Sequence, residues 1–234
     1  MSPVRFILVE PREPGNVGAA ARAMKNFGFL EMTIVGEVAE LQPVAEWWAS
    51  GAGDVVAQAR RVPTLAAALA DAHLTVATTS SRSRSVQVPL TPDAVREALG
   101  ALAGGQTLAL VFGREDRGLT AEEIALCHRT AVIPTSDLHP TLNLAQAVAI
   151  FAWTLSREPA AGDARSLAPV ASLERLHDTA RGLLLDVGFL NQENADQIYA
   201  DLRAIAGRAL LDERELAILL GIARQIRWAI ESKR

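Results

Sequence analysis

The stretch VRFILVEPREPGNVGAAARAMK, residues 4–25, decides how the chain is read. Its first half holds the apolar run Val4–Val9, broken only by Arg5, which suits a short strand buried on both faces. Its second half is a helix start, with Asn16 as a good N-cap and Gly18 on the first turn. Glycine there weakens a helix by up to about 1 kcal/mol relative to alanine, so Gly18 predicts a close approach of backbone or ligand. Arg22 follows Gly18 by four residues and shares its face. Strand, glycine and helix start together usually make a phosphate cradle, yet G-x-G-x-x-G and the P-loop lysine are both absent. Taken alone, the stretch also reads as a structural cap with a surface arginine.

Working outward, short apolar runs recur at Arg5–Glu10, Met32–Val35, Leu74–Thr78, Thr107–Phe112 and Thr130–Ile133. Helical patterns lie between them: from Asn16, around Glu46–Trp48, and over Leu65–Ala72. Others follow Thr91-Pro92 and the capping box that Thr120 forms with Glu123, and the last runs over Leu142–Arg157. This alternation predicts an α/β fold, a parallel sheet with helices on both faces and its functional residues at the C-terminal strand ends. That domain spans residues 1–158. Residues 159–170, in the Pro- and Gly-containing break EPAAGDARS and beyond, read as a linker. Residues 171–234 read as an all-helical extension, with helices over Ser172–Val187, Asn194–Ala206 and Asp212–Ile230. Three helices in about 65 residues make a marginal core. The extension is therefore expected to pack on the first domain, on a second subunit or on a bound partner.

Composition narrows the class. Half of the 234 residues are apolar and 21% charged, as in an ordinary soluble domain. No apolar run approaches the roughly 18 residues of a membrane span, and MSPVRFILVE is not a signal peptide, so the default location is cytoplasmic. Cys127 is the only cysteine, which excludes an internal disulfide and a thiolate metal cluster; no metal is expected. A net charge of −4 argues against coating nucleic acid by bulk charge and leaves room for a local basic surface.

Three more segments fall at strand ends. Thr79-Ser80-Ser81-Arg82-Ser83-Arg84-Ser85 offers hydroxyl and guanidinium donors for an anion or a ribose, or is a plain polar loop. Phe112-Gly113-Arg114-Glu115-Asp116-Arg117-Gly118-Leu119 places two glycines around alternating charges, which a salt-bridged turn would also explain. Ile133–Leu144 ends a strand, passes through a loop bracketed by Pro134 and Pro140, and opens the long helix with Thr141 or Asn143 as N-cap. His139, without companion ligands or a nucleophile at useful spacing, reads as a loop hydrogen-bonder.

In this order, N-x-G-x-x-x-R at Asn16–Arg22, F-G-R-E-x-x-G-L at Phe112–Leu119 and I-P…T-L-N-L at Ile133–Leu144 resemble the three motifs of the SPOUT-class, TrmH-like RNA 2′-O-ribose methyltransferases. The Thr79–Arg84 loop continues the likeness. Leu173-Glu174-Arg175, Gly188-Phe189 and Glu215–Leu219 resemble the helical extension of one subfamily, the bacterial tRNA (cytidine/uridine-2′-O-)-methyltransferases of TrmJ type. The resemblance implies a C-terminal trefoil knot, which ordinary topology rules disfavour. It also implies S-adenosylmethionine held in that knot, a homodimer, and methylation of cytidine or uridine at position 32 of the tRNA anticodon loop. Carried over by position, cofactor contacts fall on Thr79, Ser80, Ser81, Gly113, Ile133, Thr141 and Leu142, and catalytic positions on Asn16, Arg22, Glu115 and Asn143. The family usually has Ser where Thr141 stands; the hydroxyl is kept and a methyl is added.

A guanidinium is essentially always protonated. Arg22 is thus better suited to hold a phosphate and stabilise a developing alkoxide than to act as a base, the proton leaving to phosphate, water or Glu115. In the family reading Arg22 comes from one subunit and the cofactor from the other. Gly18 would clear space for the ribose, and the alanines would make a smooth surface for helix packing across the dimer. RNA affinity is expected from Arg12, Arg22, Lys25, Arg82, Arg84, Arg114 and Arg117. Ribosomal RNA or another tRNA position, a catalytically silent RNA-binding relative, and an unrelated nucleotide-binding α/β protein are the competing readings.

Overall fold

The computed structural model describes residues 3–38, 41–80, 88–158, 164–191 and 195–232. Ser81, Arg82 and Arg84 lie outside the described residues, as does the start of the expected linker, 159–163. In chain order the elements are β1 (Val4–Val9), α1 (Pro14–Asn26), β2 (Met32–Val35), α2 (Val44–Ala49), α3 (Gly53–Ala57), β3 (Arg60–Val62), α4 (Leu65–Leu69) and β4 (Leu74–Thr79). They continue with α5 (Pro92–Gly100), β5 (Leu108–Phe112), α6 (Ala121–Ala125), β6 (Arg129–Val132), α7 (Leu144–Leu155), α8 (Val170–Asp186), α9 (Ala195–Ala209) and α10 (Glu213–Glu231).

The six strands form one parallel sheet in the order β3-β2-β1-β5-β4-β6. Of its two central strands β5 is apolar throughout and β1 at every position but Arg5, because both faces are covered, and successive side chains divide between the two layers. Phe6 and Leu8 join Leu110 and Phe112 on one face, against α1, α5 and α7. Ile7 and Val9 join Ala109 and Val111 on the other, against Leu65 and Leu69 of α4. Phe112 stacks on Phe6 at 6.1 Å and meets Phe151 of α7 edge-on at 5.8 Å. Each such ring, fully buried, contributes about 1.5–3 kcal/mol. The edge strand β3 escapes a hydrophobic reading because two of its three residues are the exposed arginines Arg60 and Arg61.

Two expectations for the first helix are corrected. α1 starts at Pro14 with Glu13 at the N-cap position, so Asn16 lies inside the first turn and caps nothing. Gly18 clears space for a helix, not for a ribose. A Cβ there would stand 2.0 Å from the Ala45 carbonyl oxygen and 2.9 Å from the Ala49 nitrogen, both α2 backbone. Ala20 and Ala21 are fully buried in this chain's own core.

The segment read as a linker and the helices after it both touch the sheet and its helices. Val170, the first residue of α8, donates its N–H to the Ala72 carbonyl, and the Gln106 side chain pairs with both backbone groups of Leu167 at 2.8 and 3.0 Å. α9 lies on the end of the sheet: a Cβ at Gly207 would meet the His128 carbonyl oxygen at 2.8 Å, and Arg203 Nε donates to the Ala125 carbonyl. His128 is buried at this junction, where its Nδ1 accepts from the Thr75 N–H at 3.1 Å.

Candidate active site

A cavity of about 340 Å³ opens at the C-terminal ends of β4, β5 and β6. Its walls come from the three loops singled out in the sequence. Thr79 and Ser80 end β4, Gly113–Leu119 follow β5, and Ile133, Thr135 and Pro140–Leu142 follow β6. The floor is apolar, with Phe112, Leu144, Ala147 and Phe151. The volume falls in the roughly 300–1,000 Å³ range of small-molecule sites, and an apolar floor with a few hydroxyls and backbone groups is their usual chemistry. Thr79, Ser80, Gly113, Ile133, Thr141 and Leu142, read as cofactor contacts, all line this one cavity. Thr78, Thr135 and Pro140 line it as well, although the resemblance assigns them no cofactor contact; their place next to Thr79, Ile133 and Thr141 at the strand ends was the available signal.

Gly113 is there because the turn closes on it. A Cβ would stand 2.3 Å from the Gly118 carbonyl carbon and 2.4 Å from the Leu119 nitrogen. Arg114 and Gly118 exchange backbone hydrogen bonds of 3.2 and 2.9 Å, and Gly118 takes the positive φ of 69° that the turn needs. The three residues between them, Glu115, Asp116 and Arg117, are exposed.

Glu115 reaches back to the β1–α1 loop. Its Oε2 accepts from the Arg12 N–H at 3.0 Å, and its Oε1 accepts from the Glu13 N–H at 3.2 Å and from Asn16 Nδ2 at 2.9 Å. Asn16 Oδ1 in turn accepts from Asn143 Nδ2 at 2.8 Å. Asn143 Oδ1 caps α7 by accepting from the Ala145 N–H at 2.8 Å, in a capping box with Gln146. A carboxylate can only accept and a backbone N–H can only donate, so both amide orientations are forced. Of the two N-caps the sequence allowed, the structure uses Asn143. Burial pushes the Glu115 carboxyl up, but Asn16 and the Arg12 and Glu13 N–H groups outweigh it and hold the group below its ordinary value.

The basic residues separate into different environments. Arg114 is corrected: it is 6% exposed, so it is not part of a basic surface. Its Nε donates to Glu10 Oε2 at 2.7 Å, and its two terminal nitrogens donate to Glu123 at 2.9 Å each. Its hydrogen bonds to the Glu10 and Glu123 carboxylates raise its pKa above the ordinary arginine range. Glu10 has a φ of 42°, a left-handed backbone that costs a non-glycine residue about 1–3 kcal/mol. Arg12 pairs with Asp116 at 2.9 Å and Lys25 with Asp54 at 2.8 Å, both on the surface. Arg117 is exposed, 3.6 Å from Glu10. Arg22 is exposed on α1, is absent from the cavity wall, and forms no ion pair among the described residues. His139 is exposed in the loop after β6, where its backbone N–H donates to the Ser136 carbonyl. No described helix is long and apolar enough to cross a membrane.

Comparison with known proteins agrees with this geometry. The pattern of the SpoU rRNA Methylase family matches residues 3–153. The chain is 37% identical over 220 residues to a protein named uncharacterized tRNA/rRNA methyltransferase LasT of Escherichia coli (strain K12), covering 92% of this chain and 93% of that one. It is also 37% identical over 235 residues to the tRNA (cytidine/uridine-2′-O-)-methyltransferase TrmJ of Klebsiella pneumoniae, covering 95% and 96%. The crystal structure of TrmJ from Z. mobilis ZM4 superposes with a TM-score of 0.84 at 32% identity, covering 97% of this chain and 100% of that one. The resemblance drawn from the three motifs and the strand-end position of the cavity thus lead to one assignment: the chain belongs to the SpoU rRNA Methylase family.

Proposed function

We propose that the chain is an S-adenosylmethionine-dependent tRNA (cytidine/uridine-2′-O-)-methyltransferase. In this reading it acts at position 32 of the anticodon loop, as a cytoplasmic homodimer with a knotted cofactor site. The observation that carries the reading is the meeting of three loops, far apart in sequence, around one cavity beside the Glu115–Asn16–Asn143 chain. Likeness to TrmJ proteins along nearly the whole chain, extension included, supports tRNA as substrate.

When bound, S-adenosylmethionine supplies a sulfonium-activated methyl group. The protein has to place a ribose hydroxyl in line with that methyl and dispose of a proton. Thr79, Ser80 and Thr141, with their hydroxyls, and Ile133, Leu142, Phe112 and Phe151, with their apolar surface, would hold the cofactor in the cavity they line. Glu115 is a poor proton acceptor: both its oxygens already take N–H donors, and those bonds lower its basicity. Its role is to fix Asn16, which with Asn143 joins the first turn of α1 to the start of α7. Arg22 of the partner subunit holds the substrate phosphate and stabilises the alkoxide charge. Its exposure outside this chain's own cavity wall supports a contribution in trans. The proton leaves to the phosphate or to water.

RNA is held by a local surface of exposed cations, Arg12, Arg22, Lys25 and Arg117, together with Arg82 and Arg84, doubled in the dimer. The test is mass-spectrometric mapping of 2′-O-methyl nucleotides in tRNA and ribosomal RNA treated with the protein and labelled S-adenosylmethionine. Label at position 32 of tRNA is expected, together with tRNA affinity that falls steeply with salt. Label in ribosomal RNA alone would overturn the substrate assignment. No calorimetric binding of S-adenosylmethionine would make the protein a silent RNA-binding relative.

A further inference from the structure

Arg114 sits one residue from Glu115, and its surroundings are costly in three ways. Its guanidinium is buried between two carboxylates, Glu10 and Glu123. The pair with Glu123 is largely buried, the pair with Glu10 only on its arginine side; replacing buried ion pairs with apolar residues is often neutral or stabilising, so stability alone does not account for the arrangement. Glu10, which supplies one carboxylate, has the left-handed φ of 42° and precedes Pro11, whose ring already restricts it. Gly36 beside it has a positive φ of 87° that itself favours glycine, and a Cβ there would also stand 2.6 Å from Glu10 Cγ. Strain, a buried charge and an enforced glycine assembled around one turn point to geometry as the purpose.

The turn shows which geometry. Arg114 and Gly118 close it through the backbone, and Arg114 anchors it inward to the end of β1 and to α6. The Glu123 oxygen that binds Arg114 also accepts from the Thr120 N–H at 2.8 Å, so the anchor is continuous with the start of α6. Glu115 projects the other way and binds the backbone of Arg12 and Glu13 and the side chain of Asn16. A rotation of the turn would therefore carry Glu115 off all three donors and release Asn16 from its orientation toward Asn143. We propose that Arg114 and Glu10 are positioning residues, a clamp whose task is to hold Glu115, and through it Asn16 and Asn143, in place for the methyl transfer. The clamp itself stands on this chain's own contacts; its bearing on catalysis rests on the proposed function.

The test uses the full chain as wild type, Arg114→Lys and Glu10→Gln. Lysine keeps the charge but has no fork to span two carboxylates; glutamine keeps the size of Glu10 and removes its charge. Hydrogen exchange is read at the Arg12 and Glu13 amides, which donate to Glu115, with the Leu110 and Val111 amides of the central strand as reference. Both variants should lose protection at Arg12 and Glu13 by about tenfold or more, with the reference amides unchanged. In the tRNA assay kcat should fall on the order of 10²-fold, with KM within about twofold and the salt dependence of binding unaltered. Wild-type protection at Arg12 and Glu13 in both variants would overturn the clamp. So would a raised KM with a salt slope shallower by about one at normal kcat, the mark of an arginine on phosphate. If Arg114→Lys does not fold, Glu10→Gln decides by the same readings. If the wild type methylates no tRNA, the proposed function fails while hydrogen exchange still decides the clamp.

Discussion

Replacing Asn16 with Asp alters one arm of the chain that joins three segments. The retained oxygen still accepts from Asn143 Nδ2, so the arm toward α7 survives. On the other side an N–H donor 2.9 Å from Glu115 Oε1 becomes a second carboxylate oxygen. Two unit charges about 3 Å apart repel by about 1.4–2.8 kcal/mol at an effective dielectric of roughly 40–80, appropriate to groups in contact with solvent. The lost charge-assisted hydrogen bond adds about 1.5 kcal/mol. A total of about 3–4 kcal/mol lowers Tm by roughly 6–16 °C in a chain of this size.

The sign of its pH dependence follows from Glu115. In the wild type its lowered carboxyl stabilises the fold above the ordinary carboxylate range, and that contribution is lost as pH falls through the lowered value. In Asn16→Asp the paired carboxylates raise each other, so the folded state takes up a proton more readily than the unfolded chain. The penalty is then full at neutral pH and shrinks as pH falls through the raised pair. Thermal melts of both proteins between about pH 5 and pH 8 read this directly. An equal gap at both ends would refute the reasoning. So would a larger loss at pH 8 for Asn16→Ala, which breaks both arms but adds no charge.

Two further outcomes follow from packing. Gly18→Ala should lose about 1–3 kcal/mol, because the clash with the Ala45 carbonyl outweighs the gain in helix propensity of up to about 1 kcal/mol; a urea midpoint unchanged or raised would contradict this. Burial, helped by the neighbouring His177, pushes His128 down to about 4, so the folded ring stays neutral where the unfolded chain protonates. His128 should therefore contribute a loss on the order of 3 kcal/mol as pH drops from about 6.5 to about 4, and His128→Gln should make the decline shallower in a pH series of urea melts, the rest coming from His177, which burial also holds down to about 4. Equal slopes in the two proteins would remove His128 as a source of the decline.

The alternation of strands and helices was legible because strands covered on both faces must be apolar at every position, as LALVF of β5 is. The strand ends carried the functional segments for a topological reason, so the hydroxyl- and glycine-rich loops could be found without coordinates. Partner choice was not legible. Arg114 and Arg117 share a residue type and a turn, yet one is buried between two carboxylates and the other is exposed. Asn16 has every property of a cap, and only the fold reveals that its partners lie 99 and 127 residues away. Gly18 did signal a close approach; what approaches is the α2 backbone, which nothing local to residue 18 encodes.

Those long separations also bear on when the site comes into being. Glu115, Asn16 and Asn143 lie on three segments that meet only once the sheet has closed and α7 has packed against α1. Closing such loops is unfavourable until the surrounding core rewards it. During synthesis, the emerging polypeptide can complete its sheet as soon as β6 is free of the ribosome and still lack Asn143. The site is thus finished among the last features of its domain, and activity switches on only in a chain whose domain has already folded.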